Sequence, residues 1–204
     1  ILSGGSVVDY DDFHDLFSTE KTTAADSGGP LSICLRVNNR CHFMILFQMP
    51  PYVVPSRGAY GYLSWAAERL GEYRVAVEFR QERWMDDDHR ASTLAFLQEH
   101  HLSYVCVDAP QGFRSSMPPV AAATAPLAEV RFHGRNQETW EAPGIGAAER
   151  FRYDYSPAEL QEWVPRVKAL AEQAGRVHVL MNNCYADYGV KSARLLADLL
   201  DQAG

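Results

Sequence analysis

From about residue 43 onward, short apolar runs alternate with stretches of helical spacing, and this alternation limits the fold more than any other feature. His42-Phe-Met-Ile-Leu-Phe-Gln48 reads as a strand closed by Pro50 and Pro51. Residues 58–72 read as a helix, with Leu63, Ala66, Ala67 and Leu70 on one face. Further strands are expected over 74–80, 103–108, 129–133 and 176–181, and further helices over 92–101 and 190–200. The stretch 109–126 is rich in Pro and Ala and shows no amphipathic period. The best-marked helix opens at Ser156-Pro-Ala-Glu159, a capping box with proline in the first turn. Leu160, Trp163, Val164, Val167 and Leu170 form its apolar face, Pro165 should kink it, and Gly175 should end it. Strands joined by helical crossovers lie parallel, in a doubly wound sheet or a (β/α) barrel. No Gly-x-Gly-x-x-Gly or P-loop follows a strand, which weakens the nucleotide-binding doubly wound reading.

Residues 1–42 follow a different pattern. A short helix is expected over 10–17, a polar and Gly-rich loop over 18–30, and a strand over 31–37. The chain therefore divides into an irregular segment, 1–42, and a barrel portion, 43–204, with about five clear βα units. The net charge of −7 argues against non-specific binding to nucleic acid or anionic membranes by the whole surface, although a local basic site remains compatible with it. Cys34, Cys41, Cys106 and Cys184 are too scattered for a disulfide framework and are expected as reduced thiols in a cytoplasmic protein. No apolar run approaches the roughly 20 residues that span a bilayer.

Residues two apart in a strand share a face. Applied to each strand end, this rule places Gln48, Glu78, Arg80, Asp108, Arg131, His133 and Asn182 on one face, opposite a face that is aliphatic or aromatic. In a parallel barrel the polar set would crowd the C-terminal mouth, where such barrels place their active sites. Arg131-Phe-His-Gly-Arg-Asn136 adds Arg135 and Asn136, and Asn183 follows Asn182. Arginine suits bidentate recognition of phosphate or carboxylate. Arg80, Arg131 and Arg135 are therefore expected to hold an anion, with Gln48, Asn136, Asn182 and Asn183 completing the ligand-binding set. Glu78 or Asp108 would serve as general base, and His133 as acid or base. A divalent-metal site of Glu78, Asp108 and His133 is chemically reasonable, but Arg80 and Arg131 would repel the cation. No metal or other cofactor is assigned.

Several strings in this order resemble the YecE-like family, also called domain of unknown function seventy-two. They are Leu46-Phe-Gln-Met-Pro-Pro51, Val75-Ala-Val-Glu-Phe-Arg80 with Trp84, Val107-Asp108, Val130-Arg-Phe-His-Gly-Arg-Asn136 with Trp140, Arg152-Tyr-Asp-Tyr155 with Trp163, and Met181-Asn-Asn-Cys-Tyr185. The resemblance implies a TIM-type barrel whose biochemical function is uncharacterised. The family's opening Gly-Thr-Ser-Gly-Trp strand has no recognisable counterpart before residue 43, so a barrel partial at its N-terminal side is expected. Two functions fit. One is an enzyme acting on a phosphorylated or otherwise anionic small molecule or nucleotide. The other is a non-catalytic protein that binds an anionic ligand or nucleic acid; a third reading, without function, is an inactive truncated barrel.

Overall fold

The computed structural model describes the backbone of residues 31–33 and, with side chains, residues 44–203. The helix and loop expected over 10–30, together with Cys34 and Cys41, lie outside the described residues.

A six-stranded sheet organises the chain. In order it comprises β1 (Leu31–Ile33), β2 (Met44–Gln48), β3 (Arg74–Glu78), β4 (Ser103–Asp108), β5 (Leu127–Phe132) and β6 (Arg176–Met181). Strand β1 pairs antiparallel with β2, and β2 to β6 run parallel in sequence order. The five parallel strands curl into half a barrel among the described residues. The helices are α1 (Arg57–Arg69), α2 (Arg90–Glu99), α3 (Ala147–Arg150), α4 (Pro157–Gln161), α5 (Val164–Gln173) and α6 (Tyr188–Gln202), with a 3-10 turn at Glu82–Trp84.

Local chemistry accounts for the boundaries. Ser56 caps α1 by accepting the Ala59 N–H at 3.2 Å. The capping box at Ser156 and Glu159 forms as the sequence predicts. The single kinked helix expected after it is instead two helices, α4 and α5, parted at Glu162 and Trp163. Pro165 then sits in the first turn of α5, where its missing N–H removes no helical bond. The strand expected over 74–80 leaves the sheet after Glu78, which frees Phe79 and Arg80 to turn into the loop above it.

No helix lies between β4 and β5. The 109–126 connection bends and turns over 111–116 and then runs back beside the start of β4 without helix or strand. There Thr124 Oγ1 accepts the Tyr104 N–H at 2.7 Å and donates to the Leu102 carbonyl at 2.6 Å. Two aromatic clusters fill the core. Phe79 stacks on Trp84 at 4.2 Å, and Phe132 meets Tyr155 and Trp163 edge-on at 5.5 and 5.3 Å. Trp84 and Trp163 are fully buried, and full burial of a large apolar side chain contributes about 1.5–3 kcal/mol.

Candidate functional site

Strand register decides which side chains meet. Gln48 lies beside Glu78, and Glu129 and Arg131 lie beside His178 and Leu180, so these residues share the concave face. Strand β4 carries Val105 and Val107 on that face, beside Glu129 and Arg131. Asp108 is the register partner of Phe132 and therefore points to the convex, helix-covered side. This corrects the parity expected from sequence.

Six of the seven predicted mouth residues converge, and Glu78 is their centre. Its buried carboxylate accepts from Gln48 Nε2 at 2.9 Å, His133 Nε2 at 3.0 Å, Arg80 Nη1 at 3.4 Å and Arg131 Nη1. Arg131 Nη2 donates to Asn182 Oδ1 at 3.3 Å, which fixes the orientation of that amide. Asn182 Nδ2 then donates to His133 Nδ1 at 3.0 Å. His133 is thus held as the neutral tautomer with its proton on Nε2. Burial pushes Glu78 up, but His133, Arg131 and Arg80 outweigh it and hold the carboxyl well below the usual range. Burial also lowers His133, against the pull of Glu78, so the ring stays neutral. The cluster holds two guanidinium charges against one carboxylate.

Arg80 is the rim member of the group, with 17% of its side chain exposed. Its guanidinium lies over Trp140 at 4.9 Å. Burial lowers its pKa, as do the charges of Arg131 and Arg150, while Glu78 raises it. Arg150 donates to the carbonyls of Thr139, Trp140 and Ala142 and so fixes the turn that presents Trp140. Phe151 packs on His133 at 5.3 Å and closes the wall.

Asp108 belongs to a second cluster. It accepts from Arg135 Nε at 3.0 Å and Nη2 at 2.7 Å, from Tyr155 Oη at 2.6 Å and from Trp163 Nε1 at 2.7 Å. Arg135 also reaches Glu162 at 2.9 Å, so its charge is matched by carboxylates away from the mouth. Its pKa is raised by the bonds to Asp108 and Glu162. A cavity of about 240 Å³ adjoins this cluster, lined partly by Ala109, Pro110, Pro119 and Glu162.

Gly134 links the two clusters. Its φ is +86°, its N–H donates to Tyr155 Oη at 2.9 Å, and a Cβ there would lie 2.6 Å from that of Tyr153. Asn136 is spent on the Arg152 carbonyl and on capping the 138–139 turn. Asn183 is buried and donates to the Tyr153 carbonyl and to Ser192. Neither faces the mouth cluster. Because Asp108 faces away, the triad Glu78, Asp108 and His133 does not assemble, and no metal-holding group of three His, Cys, Asp or Glu occurs among the described residues.

Sequence reasoning missed Glu129, Trp140 and Arg150 as members of the site. Glu129 was detectable, since it shares parity with Arg131 and His133 in the same strand. Arg150 gave no local signal, because its partners are backbone carbonyls in a preceding turn.

The model for "Protein of unknown function DUF72" matches residues 32–204. The UPF0759 protein YunF of Bacillus subtilis is 32% identical over 162 residues, which are 78% of this chain and 57% of the relative. A DUF72 family protein of Thermotoga maritima matches in structure with a TM-score of 0.69 and 33% identity, covering 78% of this chain and 57% of that one. One from Enterococcus faecalis gives 0.71 and 25% identity, covering 76% of this chain and 57% of that one. The chain thus spans under two thirds of the length of these relatives. It belongs to the DUF72 family of proteins of unknown function.

Proposed function

We propose that the concave mouth binds an anionic small molecule, a phosphate or carboxylate compound, through Arg80 and Arg131. The observation that carries this reading is the charge balance around Glu78. Two guanidiniums and a neutral imidazole share the Glu78 carboxylate, which leaves one positive charge at a partly open rim while the neighbouring Glu129 carries its proton. Arg150 adds to the positive field at Arg80. A low-dielectric wall of Trp140 and Phe151 would strengthen any anion contact made there.

Glu78 and His133 act in this reading as organisers. Glu78 already receives four donors, and both ring nitrogens of His133 are engaged. A general base needs a free lone pair within reach of its proton, and a carboxyl held so low is a weak base. Binding is therefore favoured over acid–base catalysis by these two residues. Arg135, Asn136, Asn183 and Asp108 serve the architecture around the mouth. The overall charge of −7 disfavours nucleic acid as the ligand relative to a small anion that fits a recessed site. No helix among the described residues is long and apolar enough to cross a membrane. Cys106, with a buried thiol pushed up to about 12, and Cys184, free and exposed, suit a reducing cytoplasmic setting.

The test is titration calorimetry with inorganic sulfate on the wild-type chain and on Arg80→Ala. Arg80 is at the rim, so its removal leaves the Glu78–Arg131 pair and the fold in place. Affinity is expected to fall by about tenfold or more, the scale of one lost charged hydrogen bond. Equal affinity in the variant would overturn the reading.

A further inference from the structure

Glu129 stands two residues before Arg131 on β5, so both side chains leave the strand on its concave face. It is 0% exposed, and neither of its carboxyl oxygens has a hydrogen-bond donor among the described residues. The Nε of Arg131 likewise lacks an acceptor there, while its two terminal nitrogens are taken by Glu78 and Asn182. A buried carboxyl without donors is costly as an anion and tolerable as a neutral acid.

The charged and titratable groups around Glu129 come from four strands. Arg131 on its own strand favours the ionised form, and Glu78 on β3 opposes it. Cys106 on β4 is close enough to feel its charge, and His178 on β6 is its register neighbour. Burial is the largest influence and pushes Glu129 up to about 7. Nothing in the bonding of the mouth uses this carboxyl.

We infer that Glu129 takes up a proton when an anion enters the mouth, so that ligand binding and protonation of this buried carboxyl are linked. The inference rests on the anion-binding reading above. Arg131 is the group whose charge favours ionised Glu129. An anion seated against Arg131 offsets that charge and adds a negative field of its own, and both effects move Glu129 toward its acid form. Linkage is reciprocal, so a protonated Glu129 strengthens anion binding. The sign follows: binding is tightest below the pKa of Glu129 and weakens as pH rises through it. The mouth would thus select anions in step with acidity, through a residue that never touches them.

Sulfate is the appropriate probe, because it does not titrate near neutrality. Calorimetry on the full chain at about pH 7, in two buffers of different ionisation enthalpy, counts the protons taken up. Uptake of a fraction of a proton per sulfate is expected, with affinity falling by up to roughly tenfold per pH unit above neutrality. In Glu129→Gln the uptake should vanish, and affinity should stay near the acid-side value of the wild type. Infrared difference spectra on the wild type supply a second readout that needs no variant: the carbonyl stretch of a protonated carboxyl should grow when sulfate is added. Sulfate binding without proton uptake, or uptake that persists in Glu129→Gln, overturns the linkage and leaves the mouth reading intact. A chain that binds no sulfate overturns both.

Discussion

Among the described residues, Glu129 is a buried carboxyl with neither oxygen hydrogen-bonded, and its stability contribution has a definite sign. Its folded pKa is raised to about 7 by burial, above the value of an unfolded glutamate. The folded chain therefore binds more protons than the unfolded chain between those two values. Stability is fully present below the unfolded pKa and declines as pH rises through the folded one. Glu129→Gln should raise the denaturation midpoint at about pH 8 by the equivalent of roughly 1–3 kcal/mol and change little at about pH 4. Urea melts at the two pH values would show this, and a destabilised variant at the higher pH would contradict it. Asp108 is the opposite case. Its four donors occupy a carboxylate that is 2% exposed, and they tie residues 135, 155 and 163 to the end of β4.

At the scale of elements, what was legible depended on whether a strand has two unlike faces. Strands β2, β3, β5 and β6 end in residues that alternate apolar and polar, and their inward set, Gln48, Glu78, Arg131, His133 and Asn182, assembles as the sequence predicts. Strand β4 is buried along its whole length, so Val105, Cys106 and Val107 offer no contrast from which to read a face. The parity rule still places Asp108 inward, with Tyr104 and Cys106 and against Val105 and Val107, and the register reverses that assignment. The residues that hold it outward come from loops and helices 27 to 55 positions away, which no local pattern reveals. The capping box was legible because its partners are three residues apart. Ser156→Ala should lower stability by about 1 kcal/mol, measured by thermal or urea unfolding. A change near zero would mean that the tertiary contacts of Leu160 and Trp163 alone fix the start of α4. The division of the expected long helix into α4 and α5 was not legible, since Pro165 is compatible with a kink and with a fresh start.

At the scale of the whole molecule, burial is uneven across the sheet. Strands β4 and β5 are buried at every position, whereas β6 is exposed or half-buried throughout. Hydrogen exchange should accordingly be slowest in β4 and β5 and measurably faster in β6. Uniform protection across all five parallel strands would indicate that β6 is covered in solution. The net charge of −7 sits on a chain whose mouth is locally positive, so an approaching anion is repelled by the surface as a whole and held only at the rim. Added salt should therefore alter the rate of anion entry more than the contacts made once it is seated. The carboxylate of Glu78 reaches from β3 to Arg131 on β5 and His133 just beyond it, passing over β4, whose concave residues at that level are Val105 and Val107. The ionic ring thus bridges a strand that supplies no partner to its bonding, and the spacing of the paired backbones sets its span.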